Sequence, residues 1–558
     1  ARARQLPRRL RRRLRLRVRR RLRERSRRLR VRGALTMTMT EPTTTEPAPF
    51  TSEPLSDERL HQLVAALRPV LADDQILLAK TDRWNRARVP APFPVHRWSE
   101  RVPDVVVMPT STEQVAAVVR IANELRIPVV PRDGGTGLTD GAVPHRRGIV
   151  VDVKKMNQIH ELDLVNRTVT VGTGISMLKL NERLARHGLF YPDDPASYPC
   201  SLVGGRIGTS GWSLIGSRYG HTRDLVLSFD HVLPTGDVLH VGDGIGRKIS
   251  KSSSGYQLKH LFMGHQGTLG IATRATLKLF PKPEAELSPF WAFDSYEDAH
   301  ACTGALARAG VATFAGAVLF DEHKVAYLRR DDEAYIPQPA DVRALVCAVM
   351  YGYEDEVRAG GKRLFRIARE HGARYLGDEI SEGDWAARHD RYATPLHGRT
   401  KDGQVIPMSW HCEDAAVNFS AVPAVSRAWH EIMADLRRRT DVFDDWGMFA
   451  YTSGSTGVDY LTEIDVGIWE QRLDDDAWAA WVAAKRDIAA VALAHGGSMS
   501  ACHGSCREGE VDLVPEELGR GFDVMLDVKR SLDPNNVMNP GKYLLDRAYG
   551  RDTTDENR

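Results

Sequence analysis

The stretch PRDGGTGLTDG (Pro131–Gly141) limits what this chain can fold into more than any other. Its glycines, Gly134, Gly135, Gly137 and Gly141, let the backbone turn its N–H groups inward with no Cβ in the way. That concave shape suits an anion such as a pyrophosphate, although a tight strand-to-strand turn that binds nothing would use the same residues. An apolar run, RIPVV, leads into the loop and GIVVDV leads out of it. A Rossmann unit needs a helix directly after such a loop, so that phosphate can sit on the helix N-terminus. Here Val143–Pro144 and then a strand follow, which excludes that arrangement.

Two further glycine-dense tracts follow. Asp193–Asp224 contains Gly204, Gly205, Gly208, Gly211 and Gly216 interleaved with Thr209, Ser210 and Ser213, and Gly264–Ile271 (GHQGTLGI) precedes the strand ATRATLKLF. One large, flat, phosphate-bearing ligand touching backbone at several points explains all three tracts together. The surrounding pattern is α+β. Leu60, Leu63, Val64, Leu67, Val70 and Leu71 recur at helical spacing over Asp57–Asp73. A strand is expected over Asp104–Met108, then a capping box of Thr110 with Glu113. A helix follows with Val115, Val118, Val119, Ala122 and Leu125 as its buried stripe. Arg126–Val130, IVVDV and TVTVG read as strands, and Leu178–His187 as a helix. From Glu284 to Gly496 helices and strands alternate without a repeat.

The net charge of +4 hides a strong asymmetry. Residues 1–34 hold 18 Arg and one Glu, and removing their +17 leaves −13 for the rest. An acidic body argues against a nucleic-acid surface. The Arg run reads as an extension foreign to the folded body, kept disordered by self-repulsion. A basic arm for nucleic acid or anionic lipid, or a transit peptide, are the other readings. Six scattered Cys with no CxxC suit a reducing cytoplasm, and no segment reaches the ~20 unbroken apolar residues of a membrane span.

Taken together, VVVMPTSTEQV, VVPRDGGTGL, PDDPASYPCSLVGG, YGHTRDLV and MGHQGTLGIAT resemble the flavin-binding domain of the vanillyl-alcohol oxidase superfamily. The branch is the FAD-linked oxidases that include D-lactate dehydrogenase and the glycolate oxidase flavin subunit. GGSMSACHG and SLDPNNVMNPGK continue the resemblance to the C-terminus. It implies an α+β fold: a two-subdomain PCMH-type FAD-binding domain over 57–283, a cap with an antiparallel sheet over 284–496, and a segment over 497–548 that returns to the flavin. Residues 1–56 would be an arm and linker and 549–558 a tail. It further implies non-covalent FAD, since the His that some relatives use for attachment is replaced by Arg132 or Asp133; His221 is a weaker candidate.

The cofactor-binding residues implied are Arg132, Asp133, Gly134, Gly135, Thr136, Gly137 and Leu138 for the pyrophosphate. Pro195, Ser197, Gly204, Gly205, Gly208, Thr209, Ser210, Gly211, Tyr219 and Gly220 follow along the cofactor. Gly267, Thr268, Leu269, Gly270 and Ile271 close over the adenine, and Asn539 and Lys542 return to the ring. His503 aligns with the catalytic base of relatives. Arg388, in WAARHDRYA, aligns with a substrate-carboxylate contact, where two parallel hydrogen bonds are available; an ion pair on a helix surface is the plainer alternative.

The resemblance breaks at the metal. Many hydroxy-acid dehydrogenases carry GHxGDGNxH, whose two His join the Glu of EHG on a divalent ion. Here AYTSGSTGVDY puts Tyr451 and Tyr460 at the His positions, and Cys502 replaces the Glu. Phenols are poor ligands for a hard cation, so no metal site of that kind is expected. Cys502, Cys506 and His503 offer zinc no fourth ligand by spacing. The expected activity is FAD-dependent oxidation of a small 2-hydroxy acid or related alcohol, with Tyr451 and Tyr460 shaping the pocket. Expected partners are that small molecule, with the electron acceptor and a homodimer left open. The alternatives are an alkyl-glycerone-phosphate synthase-like transferase, a phenol or aldose oxidase, and a non-catalytic FAD-binding component.

Overall fold

The computed structural model describes residues 52–242, 249–329, 341–389, 396–399, 405–453, 459–506 and 508–550. The Arg-rich arm and nearly all of the 549–558 tail lie outside those residues. Four short strands open the folded body: β1 (Ile76–Leu77), β2 (Val105–Val107), β3 (Val129–Arg132) and β4 (Ile149–Asp152), in the order β1-β2-β4-β3. β4 runs parallel to both β2 and β3. A parallel sheet must be covered on both faces, and Val105, Val106, Val107, Ile149, Val150 and Val151 are all fully buried. The glycine loop is thus the crossover from β3 to β4, and it makes that crossing without a helix.

Local chemistry moves several expected boundaries. Helix α1 (Asp57–Leu67) stops before Pro69 rather than running to Asp73. Helix α2 (Thr112–Leu125) is capped by Ser111, whose Oγ accepts from Gln114 N at 3.2 Å, one residue later than the expected Thr110 box. The Gln114 side chain in turn accepts from Thr110 N at 2.8 Å. Val115, Val118, Val119 and Ala122 form its buried stripe as the spacing predicts, while Leu125, the fifth expected member, is only half-buried at the helix end. Arg126 takes a left-handed conformation (φ 50°) to end the helix, so β3 begins at Val129 and not Arg126.

A second, antiparallel sheet holds β5 (Ile159–Asp163), β6 (Thr168–Gly172), β7 (Val226–Val232), β8 (Val238–Gly242) and β9 (Ile271–Lys278) in the order β5-β6-β9-β7-β8. His231 on β7 is fully buried beside Phe262 and His265, with Nε2 3.1 Å from the Leu269 carbonyl. Burial pushes its pKa down to about 4. The unfolded chain therefore takes up a proton near pH 6.5 that the fold refuses; the stabilisation is complete above that pH and is lost as pH falls towards 4. At 1.4 kcal/mol per pKa unit the loss reaches roughly 3 kcal/mol. Urea unfolding at about pH 7.5 and about pH 4.5 measures it. His231→Gln should show a shallower pH dependence than wild type, and equal slopes would remove His231 from this role.

The third sheet belongs to the cap and is antiparallel. Its strands are β10 (Ala285–Leu287), β11 (Phe290–Phe293), β12 (Phe314–Phe320), β13 (Ala344–Gly352), β14 (Arg374–Tyr375), β15 (Leu396–Arg399), β16 (Val405–Asn418), β17 (Phe443–Ser453) and β18 (Asp459–Ile468). The order is β14-β11-β13-β12-β17-β18-β16-β15, with β10 beside β13. Side chains alternate across such a sheet. Tyr460, Ile464 and Val466 face helices Val422–Arg439 and Asp475–Ala494, packing with Trp429 and Trp481, whereas Cys412, Tyr451 and Glu463 face the glycine tracts. No helix among the described residues is long and apolar enough to cross a membrane.

The C-terminal segment comes back to the first sheet. Val129 N–H donates to Val537 O at 2.7 Å and Asn539 N–H to Val129 O at 2.8 Å. Lys529 Nζ, fully buried, donates to Asp533 (2.6 Å), Met538 O (2.8 Å) and Thr268 O (2.9 Å), which ties helix Arg520–Leu532 to the third glycine tract.

Candidate active site

The glycine tracts and the cap sheet line the two sides of one partly open cleft. Close backbone approach builds one wall. A Cβ on Gly134 would lie 2.4 Å from Cys200 O, and one on Gly204 2.3 Å from Asp133 Oδ1. The first and second tracts therefore pack together only as glycine. Gly135 and Gly267 have φ of 66° and 77°, a conformation other residues rarely adopt. Gly137 and Gly208 point at open space, where a Cβ would meet nothing within 4 Å.

The opposite wall carries titratable side chains: Cys412 on β16, Tyr451 on β17, Glu463 on β18, and Cys502 with His503 in the loop after helix Asp475–Ala494. That loop is anchored at both faces. The His503 carbonyl accepts from Thr139 Oγ1 (2.6 Å) in the first tract and from Gln266 Nε2 (3.1 Å) in the third. Below it, buried Asp414 accepts from the N–H groups of Ala501 (2.6 Å) and Cys502 (2.7 Å) and from Ser500 Oγ (3.2 Å). Asp414 Oδ1 also lies 3.0 Å from His503 Nδ1, while Nε2 lies 3.8 Å from Glu463 Oε1.

These groups set one another's protonation. Burial works against the charged imidazolium of His503, but its acidic neighbours Cys502 and Asp414 outweigh it and lift the pKa well above the ordinary value. Burial would raise Asp414; the His503 charge and the backbone donors hold it below the usual carboxylate range instead. Glu463 lacks such donors, and burial pushes it up to about 8. Burial likewise raises both thiols, Cys412 and Cys502. On the glycine wall, burial and the Asp152 charge push Asp133 up to about 8.

Residues 103–242 match the family model described as FAD binding domain, and residues 282–543 match that of FAD linked oxidases, C-terminal domain. The glycolate oxidase subunit GlcD of Bacillus subtilis is 30% identical over 454 residues, 81% of this chain and 91% of that protein. The probable mitochondrial D-lactate dehydrogenase of Danio rerio is 31% identical over 490 residues, covering 87% and 92%. The chain belongs to the FAD-linked oxidases. Its fold also matches p-cresol methylhydroxylase (TM-score 0.71, 18% identity, 88% of this chain and 97% of that one) and alkyldihydroxyacetonephosphate synthase (0.66, 20%, 89% and 88%).

The cleft of this FAD-linked oxidase suits its cofactor. Glycines of all three tracts line it, and two buried polar atoms at its edge, Asp133 Oδ1 and Trp212 Nε1, have no protein partner among the described residues. Of the expected cofactor residues, Asp133, Gly134, Gly135, Thr136, Gly137, Leu138, Pro195, Ser197, Gly204, Gly205, Gly208, Thr209, Gly267, Gly270 and Ile271 line it. Others stand behind the wall. Arg132 donates to the carbonyls of Arg88 (2.8 Å) and Ala142 (3.2 Å), and burial lowers its pKa to about 10. Lys542 Nζ donates to Asp140 O and Val143 O, and Asn539 Nδ2 to Gly141 O and Gln266 O. Ser210, Gly211, Tyr219, Gly220, Thr268 and Leu269 are likewise not among the lining residues; Tyr219 packs on Phe190 and Phe280. His221 sits beneath Trp212, with Nδ1 accepting from Ser213 N and burial lowering its pKa to about 4.

Among the expected catalytic residues, His503 and Tyr451 meet in the cleft, Tyr451 4.7 Å from Trp212 between ring centres. Tyr460 does not: it is buried in the cap core against Phe419. Arg388 is engaged elsewhere, 3.0 Å from Asp194 and stacked on Trp385, with His389 on the other Asp194 oxygen at 2.6 Å. Arg206, Trp212, His265, Gln266, Cys412 and Glu463 line the cleft without having been singled out; a Gly-flanked Arg or an alternating strand carries no distinguishing local signal. Gly134→Ala forces the tracts apart. It should cost 1–3 kcal/mol of packing and loosen FAD by roughly tenfold or more in a fluorescence titration. Gly137→Ala should leave flavin-free stability unchanged and weaken FAD alone. Unchanged FAD binding in Gly137→Ala would show that this loop does not face the cofactor.

Proposed function

We propose that the chain oxidises the alcohol carbon of a small 2-hydroxy acid, the class named by relatives such as the glycolate oxidase subunit and the D-lactate dehydrogenase of Archaeoglobus fulgidus. The observation that carries this reading is His503: an imidazole on the cleft wall with Asp414 on one nitrogen and the cleft beside the other. Bound FAD supplies the hydride acceptor for such a reaction. The protein's part is to take the hydroxyl proton and hold the substrate still.

His503 Nε2 takes that proton when the ring is neutral, a form that its raised pKa confines to higher pH, so flavin reduction should speed up as pH rises. Asp414, at Nδ1, orients the ring and stabilises the imidazolium that forms, and the grip of Thr139 and Gln266 on the His503 carbonyl keeps the loop at one distance from the glycine wall. Tyr451 and Trp212 give the substrate space an aromatic side. Arg388 acts at one remove: it and His389 clamp Asp194, whose neighbour Pro195 lines the cleft. Asn539 and Lys542 brace the pyrophosphate loop from behind. Six free thiols support a reducing compartment, the cytoplasm in this reading. The test is anaerobic addition of D-lactate, glycolate and D-2-hydroxyglutarate, with simple alcohols for comparison, to the holoprotein. Bleaching of the flavin absorbance by a 2-hydroxy acid but not by plain alcohols is expected. Bleaching by none of the acids would sink the reading.

A further inference from the structure

The first glycine loop opens with an acid. Pro131 and Asp133 line the cleft, whereas Arg132 between them turns away and donates to the Arg88 and Ala142 carbonyls. Strand alternation thus carries past the end of β3 and brings the Asp133 carboxyl to the cleft side. There it rests on bare backbone of the second tract: a Cβ on Gly204 would lie 2.3 Å from Asp133 Oδ1, and one on Gly205 3.4 Å from the Asp133 Cβ. The Gly205 N–H supports the charged carboxylate, but Oδ1 is buried with no protein partner among the described residues.

Asp152 from β4, Lys154 just beyond that strand, and Arg132 are the charged side chains that act on this carboxyl. Asp152 is fully buried and paired with Arg86, whose Nε and Nη2 reach it at 3.1 and 2.9 Å. Lys154 is exposed and Arg132 faces carbonyls, so burial and the Asp152 charge prevail and keep the proton on Asp133 up to about pH 8. The cofactor adds an independent reason. With the FAD pyrophosphate at this loop, a carboxylate and a phosphate anion cannot both keep their charge against one buried wall, and the carboxyl, the weaker acid, takes the proton. As an acid it has an O–H to donate, where a carboxylate could only accept.

We propose that Asp133 is a hydrogen-bond donor to bound FAD, acting as the neutral acid, and that its proton couples retention of the cofactor to pH. With the proton in place, FAD binds with no change of charge on the glycine wall. Once the carboxyl has ionised, binding must first return a proton from water to Asp133. Affinity is therefore full at low pH and falls as pH rises past about 8, by about tenfold per unit. The coupling belongs to the cofactor cradle and holds whichever alcohol is oxidised, so it can stand even if no 2-hydroxy acid reduces the flavin.

Serial dilution of the full-length holoprotein, with released FAD read by its fluorescence, gives the dissociation constant across a pH series. Wild type should hold FAD roughly tenfold more weakly at about pH 9 than at about pH 7. Asp133→Asn keeps an N–H donor and cannot ionise, so it should match wild type at the lower pH and keep that affinity at the higher one. Asp133→Gly removes the donor and should bind FAD roughly tenfold more weakly throughout, again with no pH step. Glu463 on the cap wall titrates in the same range, also at about 8, and the variants separate the two: a wild-type step that survives in Asp133→Asn or Asp133→Gly belongs to another group and overturns the proposal. A wild-type constant that stays flat to about pH 9 overturns it as well. So does an Asp133→Asn protein that is folded by urea unfolding yet loses FAD at neutral pH, since the cofactor would then need the carboxylate.

Discussion

Replacing His503 with Gln should slow substrate-dependent flavin reduction by roughly 10²–10⁴-fold, the usual contribution of a positioned general base. Flavin content should stay at the wild-type level. The reason for separating the two readouts lies in how the loop is held. Thr139 and Gln266 bond to the main-chain carbonyl of residue 503, and Asp414 bonds to the N–H groups of Ala501 and Cys502, so the loop's anchors do not depend on the imidazole. Gln also keeps an N–H that can reach Asp414. Stopped-flow measurement under anaerobic conditions at saturating 2-hydroxy acid isolates the reductive step from re-oxidation. Reduction at the wild-type rate in this variant would take the proton-accepting role away from His503.

The second large effect is on stability. Lys529 and Asp533 are both fully buried, one turn apart on the same helix, and their charges meet at 2.6 Å. Lys529→Met would leave the Asp533 carboxylate with only the N–H donors of Val537 and Met538. Removing one member of a buried pair typically costs 3–5 kcal/mol because the other charge stays desolvated. The loss should also reach the cofactor, since Lys529 holds the Thr268 carbonyl in the third glycine tract. Denaturant unfolding followed by intrinsic fluorescence and by flavin release should show both transitions shifted together. A variant within about 0.5 kcal/mol of wild type would mean that the carboxylate finds other compensation.

The glycine wall of the cleft was legible because its requirement is local. A position where a Cβ would fall within 2.4 Å of Cys200 O or Asp133 Oδ1 tolerates only glycine, and that constraint is written in the local run of residues. The cap-side wall depends on strand parity, which local sequence does not display. Tyr451 pairs with Leu461 across the β17–β18 hairpin, so Tyr460, one residue short, points into the opposite face and joins the cap core. The same alternation brings Glu463 and Cys412 to the cleft from strands with no motif of their own. Arg388 and the Asn539–Lys542 pair illustrate a different loss. Their side chains are fully engaged with Asp194 and with loop carbonyls, and only the folded structure shows that they support the cleft from outside.

The pairing of Val129 with Val537 and Asn539 has a consequence in time. The strand that launches the first glycine loop leaves the ribosome some 400 residues before the segment that hydrogen-bonds to it. At about 5–20 residues per second that interval is tens of seconds. During it β3 has an open edge, and Asp140 O and Val143 O lack the Lys542 ammonium that later holds them. The first glycine loop is therefore completed only by a segment made some 400 residues after it. A nascent chain stalled before Lys529 exposes an unpaired β edge to its neighbours.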